Sequence, residues 1–345
     1  MRKIGDSAKH RRLVGILLLI MGLFSVSILY SSPLTLCRRA HYVMGTVFEI
    51  SAYGEEEAAT IAAIEEAFGF VLETDRLMSS YRPQSDLMEL NSNASRGFVP
   101  VHRELYQVIQ AAIGFSEMSD GAFDITVGPL MRAWGFFRQI GRVPPYAERQ
   151  ALLSKVGYRH IHLDPFARAV RFDVPDMEID LGGIAKGWAV DRAAAVLRAR
   201  GIQRALIDAG TSSLLALGTP PNADAWSVGI KDPLRTDRVL SIVGLKNQSL
   251  STSGSYERFV RVSGKRYSHI LDPKTGLPVN RMLSTTVIAP TATASDALST
   301  AVFVMGADKG ESFLYSHGYT GLLVYREKGQ VKTRAIEPSR PTRVY

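Results

Sequence analysis

Apolar positions recur with a period of two over residues 47–53, which predicts a strand. The spacing then turns helical over 55–78, where Ala58, Ile61, Ala62, Phe68 and Leu72 fall near one face. Residues 79–91 are polar and read as a loop. Residues 102–118 repeat the helical pattern through Leu105, Val108, Ile109, Ala112 and Phe115. Pro144-Pro145 marks a connector before a short helix over 147–156. Residues 160–163 and 169–172 predict a hairpin. At 179–183 a strand end runs through Asp180-Leu181-Gly182-Gly183 into a helix that reaches 200. Further strands are predicted at 205–208, 226–230, 239–243, 256–262, 284–288, 322–325 and 331–335, interrupted by an apolar helix opening at Ser295-Asp296. Strands and helices interleave without a regular βαβ period. The pattern predicts an α+β fold: mixed or antiparallel sheets with packed helices, and an active-site cleft between two subdomains, around 44–135 and 180–300.

The N-terminus follows a different rule. A basic stretch precedes an apolar run of about 18 residues from Leu13 to Tyr30, the n-region and h-region of an export signal, long enough to span a bilayer. Residues 1–36 are therefore expected to be a signal peptide or signal anchor, residues 37–41 a linker, and 42–340 the folded domain. The one cysteine, Cys37 in Leu34-Thr35-Leu36-Cys37, is placed like the lipid-accepting residue of a bacterial lipoprotein, although Leu36 is larger than the residue usual there. Either version puts the domain on the periplasmic side of the bacterial inner membrane. A single cysteine excludes an internal disulfide. Of 41 basic and 33 acidic residues, five and one lie in residues 1–36. The domain is thus only mildly basic, and it has no Lys/Arg block with interleaved aromatics, so nucleic-acid binding is not expected.

Two C-terminal segments read as halves of one site: Tyr267-Ser268-His269-Ile270-Leu271-Asp272-Pro273-Lys274-Thr275-Gly276 and Ser295-Asp296-Ala297-Leu298-Ser299-Thr300. Asp296 and Thr300 are one helical turn apart, on one face. A carboxylate and a hydroxyl without Cys or clustered His suit a hard cation such as Mg²⁺. His269 could do proton work beside them. Each piece has a plainer reading: an Asp near a helix start, a buried hydroxyl, a structural histidine. The Asp180–Gly187 turn offers free amides and Lys186 to a phosphate, or is an ordinary glycine turn. It is neither a Walker A motif nor G-x-G-x-x-G. The stretch from Gly121 to Phe136, with Trp134, could approach and stack on a flat ring, or lead into core. His160 and His162 share a strand face and read as surface residues.

In combination and in this order, Met44-Gly45-Thr46, Ser80-Tyr81 with Asn91, the Gly121–Phe136 stretch, Asp180–Lys186 with Asp191, Thr252-Ser253-Gly254, Ser268–Gly276 and Asp296–Thr300 resemble the ApbE family of flavin transferases, over residues 42–310. The resemblance implies a flavin transferase domain that moves the FMN half of FAD onto a Thr or Ser hydroxyl of an exported or membrane acceptor flavoprotein, releasing AMP, with Mg²⁺. It implies that Met44, Tyr81, Ala122, Phe123, Asp124, Asp180, Lys186 and Ile270 bind FAD. Asp296, Thr300 and the carbonyl of Gly183 would hold the metal, and His269 would be the catalytic acid or base. One stretch departs from the family: Asp208-Ala209-Gly210-Thr211-Ser212-Ser213 has Thr211 where many members have a second glycine. The alternatives are an FAD pyrophosphatase giving FMN and AMP, and a flavin-binding lipoprotein without activity.

Overall fold

The chain opens on an antiparallel pair, β1 (Thr35–Val43) and β2 (Thr46–Gly54). Met44 and Gly45 join them, both left-handed at φ 53° and 74°. That is the two-residue turn whose twist matches the strands it connects. The computed structural model describes residues 34–337, apart from Gln139 and Thr211. Next come α1 (Glu57–Met78), α2 (Asp86–Asn93), β3 (Val99–Pro100), α3 (Arg103–Met118), α4 (Gly128–Ala133) and α5 (Tyr146–Leu153). The strands β4 (Ile161–Asp164) and β5 (Ala169–Phe172) form the expected hairpin. The second half holds α6 (Ala185–Ala199), β6 (Arg204–Asp208), β7 (Ser213–Leu217), β8 (Trp226–Lys231), β9 (Val239–Leu245), β10 (Ser249–Gly254), β11 (Phe259–Val262), β12 (Lys265–Ser268) and β13 (Met282–Ala289). It closes with α7 (Ala292–Met305), α8 (Ala307–Ser316), β14 (Thr320–Glu327) and β15 (Gln330–Ile336).

Eight strands make the central sheet, in the order β1-β2-β6-β7-β10-β13-β14-β15, every pair antiparallel. Ile64, Ala67 and Phe68 of α1 and Ala189, Ala193 and Leu197 of α6 bury one face of β1, β2 and β6. The β8–β9 hairpin covers the other face through Trp226, Val228, Ile230 and Leu245. A second core lies beneath α2, α3 and the β3-β5-β4 sheet, built on Leu77, Leu87, Leu105, Ile109, Phe172 and Ile179. The α+β expectation of antiparallel sheets with packed helices holds. Met44 packs against both of these cores, and the described residues form one compact unit.

Several local expectations give way. Residues 37–41 are not a linker but the middle of β1, fully paired with β2. Cys37 is 5% exposed in the core, and its thiol lies 3.9 Å from the Glu57 carbonyl. Residues 79–91 are not all loop: Ser85 caps α2 by accepting from the Met88 N–H. Residues 179–181 lie outside any strand. Of the expected export signal, residues 1–33, with the whole apolar run 13–30, lie outside those described, whereas Thr35 and Leu36 belong to β1. Among the described residues no helix is long and apolar enough to cross a membrane.

Candidate active site

The site is organised by two helices that cap each other. Ile184, at the N-cap of α6, has no side chain able to accept a hydrogen bond. Asp296 of α7 supplies the acceptor instead: its Oδ2 takes the Gly187 N–H at 2.9 Å. In return Asp191 of α6 accepts from the Ala292 and Thr293 N–H groups, both at 2.8 Å, and from the Thr293 hydroxyl at 2.6 Å. This crossing requires glycine at 187, because a Cβ there would lie 2.2 Å from the Ala292 carbonyl oxygen. Asp296 is buried, which raises its carboxyl pKa against the pull of Lys186, the Gly187 N–H and Ser213. Among the described residues the buried Ser213 Oγ has no partner at hydrogen-bonding geometry.

Thr300 follows Asp296 one turn along α7. Its hydroxyl is 3.4 Å from the Asp296 carbonyl oxygen and 3.1 Å from Ser253 Oγ, which also meets Ser299 Oγ at 2.8 Å. A Cβ on Gly183 would sit 3.5 Å from Thr300 Oγ1 and 3.2 Å from the Phe123 ring, so the Gly183 backbone shares this corner. The structure thus brings Gly183, Asp296 and Thr300 together with Ser213 and Ser253. Among the described residues no group of three or more His, Cys, Asp or Glu converges on a metal position. One carboxylate with hydroxyl and carbonyl oxygens does not suit zinc. It fits a hard divalent cation that keeps several of its waters.

The turn that leads into α6 adjoins it. Asp180 accepts from the Ser80 hydroxyl at 2.6 Å and from the Gly182 N–H, and burial raises its pKa. Asn91 clamps the neighbouring residue by donating to the Ile179 carbonyl at 3.0 Å and accepting its N–H at 2.9 Å. These bonds fix the turn that presents Lys186 at the start of α6. Lys186 is the hub, because its charge acts on Asp180, Asp296 and His269 together.

His269 leaves the end of β12 with its Nδ1 2.9 Å from the Arg258 carbonyl. A carbonyl oxygen only accepts, so Nδ1 carries the proton and Nε2 keeps its lone pair. Burial first, then the charges of Arg258 and Lys186, lower the imidazole pKa to about 4, and the carbonyl bond opposes them. The ring is neutral at pH 7. The following turn is rigid: Asp272 accepts from the Lys274 N–H and the Thr275 hydroxyl, and its carbonyl accepts from the Gly276 N–H. Trp134 donates to the Gly276 carbonyl at 2.9 Å.

The remaining candidates fall into two groups. Met44, in its left-handed turn, and Tyr81, half-exposed, lie at the surface of the site near Arg258. Ala122 and Phe123 follow α3, held by N–H donation to the Ser119 carbonyl and hydroxyl. Asp124 is committed inward: one oxygen takes the Thr126 N–H and hydroxyl, the other the Tyr158 N–H. Ile270 is buried, its N–H 3.2 Å from Ser268 Oγ and its carbonyl taken by the Val279 N–H. Trp134 is 1% exposed, so it braces the turn rather than offering a face to a ring. His160 and His162 both bond Asp173. Sequence reasoning missed Arg258, and it named Ser213, Ser253 and Ser299 only within longer motifs, without a role at Asp296 or Thr300. The serine alternation over Ser249, Ser251 and Ser253 was the readable signal for the hydroxyls behind Thr300.

Comparison with known proteins matches this geometry to one family. The model of the ApbE family covers residues 44–323. The FAD:protein FMN transferase of Salmonella typhimurium is 33% identical over 297 residues, 84% of each chain. That of Treponema pallidum is 34% identical over 307 residues, again 84% of each. The solved flavin transferase ApbE from Vibrio cholerae superposes with a TM-score of 0.78 at 28% identity, covering 88% of this chain and 98% of that one. The ApbE protein from Thermotoga maritima gives 0.80 at 34% identity, covering 86% and 96%. The chain belongs to the ApbE family and is a transferase.

Proposed function

We propose that this ApbE-family transferase moves the FMN moiety of FAD to a Ser or Thr hydroxyl of an acceptor flavoprotein, releasing AMP with the help of Mg²⁺. The observation that carries the reading is the convergence of Asp296, Thr300 and the Gly183 backbone with Lys186, the cation whose charge reaches His269. In this reading Met44, Tyr81, the 122–124 stretch, Asp180, Lys186 and Ile270 shape the FAD site. Ile270 and Asp124 act through the backbone they fix, since their own polar groups are taken.

Asp296, Thr300 and Gly183 would hold the metal. When bound, Mg²⁺ supplies positive charge at the pyrophosphate oxygens. Lys186 neutralises the same oxygens from the start of α6, where the helix dipole adds to it. His269 accepts the acceptor hydroxyl proton at Nε2, while the Arg258 carbonyl holds Nδ1–H and thereby the ring's orientation. The acceptor oxygen forms a bond to the FMN phosphorus, the P–O bond to the AMP phosphate breaks, and AMP leaves. A water in place of the hydroxyl would give FMN and AMP. We place the domain outside the cytoplasm, held at the membrane by the apolar run 13–30. Incubating protein, FAD, Mg²⁺ and a Thr-bearing acceptor tests the reaction. Covalent flavin on the acceptor is the expected outcome, and free FMN with AMP or unchanged FAD would contradict it.

A further inference from the structure

Arg258 stands between β10 and β11, where nothing in the chain's periodicity marks it. Its backbone is engaged twice by His269: the carbonyl accepts Nδ1–H at 2.9 Å and the His269 N–H at 3.2 Å. The side chain leaves that anchor toward the other wall of the site. Its Nη1 lies 3.4 Å from the Tyr81 hydroxyl, and the guanidinium sits 6.0 Å from the Tyr81 ring centroid. Its Nη2 is 3.4 Å from where a Cβ on Gly45 would be, at the Met44-Gly45 turn. The same charge reaches Asp180. Yet among the described residues Arg258 has no ion pair, and its one side-chain hydrogen bond is long. A guanidinium has five donors in a planar fork that suits phosphate oxygens. Other arginines near by are satisfied differently: Arg261 and Arg266 lie over the Phe259 ring, and Arg266 also donates to the Ser255 carbonyl at 2.9 Å.

We infer that Arg258 is, beside Lys186, the second cation of the FAD pyrophosphate cradle, and that it makes the site prefer the pyrophosphate-bearing dinucleotide over unphosphorylated flavin. The inference rests on the proposed FAD site and deepens it. Arg258 would bind the phosphates through its fork, and through its carbonyl it fixes the base that takes the acceptor proton. One residue then couples phosphate recognition to base orientation. Substitution of the side chain removes the first role and leaves the second, which is made by the backbone.

The test is equilibrium binding of FAD and of riboflavin to the full-length protein, with wild type, Arg258→Ala and Arg258→Lys compared alongside their melting temperatures. Arg258→Ala is expected to weaken FAD about 10- to 100-fold, the usual worth of charge-assisted hydrogen bonds. Riboflavin binding should be unchanged, because it carries no phosphate. Arg258→Lys should recover part of the FAD affinity as a point charge. Melting temperatures should stay together, since the side chain is exposed. Wild-type FAD affinity in Arg258→Ala, or an equal loss of FAD and riboflavin, would overturn the inference while leaving the FAD site standing. Failure of the wild type to bind FAD would overturn both.

Discussion

Asp296 does two jobs that one substitution can separate. It accepts the Gly187 N–H at 2.9 Å, and it is the only carboxylate proposed for the metal. Asp296→Asn keeps an acceptor for Gly187 but loses the charge. We expect it to melt close to wild type, with transfer reduced at least about 100-fold. Asp296→Ala also strands the Gly187 N–H, a loss of about 1–3 kcal/mol. Equal activity in Asp296→Asn and wild type at limiting Mg²⁺ would remove the metal role. His269 gives a prediction in pH. Its folded pKa of about 4 lies below the ordinary 6.5, so between these values the unfolded chain takes the proton more readily. Its contribution to stability is therefore lost as pH falls from about 6.5 toward 4, and activity should be flat in His269 protonation from about pH 6 to 8. His269→Ala should bind FAD but lose about 10²–10⁴ in transfer rate; a limb near pH 6.5 in wild type would show an unshifted ring. Asp296 and Thr300 were legible because helical spacing places i and i+4 together. The inward turn of the Asp124 and Trp134 side chains was not legible, because residue type says nothing of direction.

At the scale of elements, the contact between α6 and α7 decides whether the site exists. Gly187→Ala drives a methyl into the Ala292 carbonyl and the Asp296 side chain. It should lower the melting temperature by the equivalent of about 1–3 kcal/mol or more and abolish transfer, and an unaltered protein would disprove the cross-capping. The end of β6 gives a second test. Burial and the nearby Glu49 raise the Asp208 carboxyl to about 6, against the Gly210 N–H and Lys231. For an acid raised in the fold, stability is lost as pH climbs through 3.8 toward 6. Asp208→Asn should thus gain more in melting temperature at about pH 7.5 than at about pH 4.5, read by calorimetry at both. The long helices and most strands were readable, since their periods are unbroken over many residues. α2 was hidden because its eight residues are mostly polar and only Leu87 and Leu90 are buried. β1 was hidden because Arg38, Arg39 and Ala40 are exposed on an edge strand and a signal-like sequence precedes it.

The whole molecule adds what no local pattern carries. The order β1-β2-β6-β7-β10-β13-β14-β15 joins strands far apart in sequence, and around it the Asp180 turn, the Asp296 helix and the His269 turn all come within reach of the Lys186 charge. Their order along the chain was visible; their convergence required the fold. Cys37 is a paired core residue, so Cys37→Ser should leave attachment to membranes unchanged, whereas removal of residues 1–33 should release active protein. Release by Cys37→Ser would restore the lipid anchor. Flavin transfer itself is read by intact-mass analysis of a purified Thr-bearing acceptor after incubation with this protein, FAD and Mg²⁺, with Asp296→Asn in parallel. The expected result is an acceptor heavier by one FMN less water, an equal amount of AMP, and neither with Asp296→Asn; an unmodified acceptor with free FMN, or full modification by Asp296→Asn, would contradict the proposed transfer.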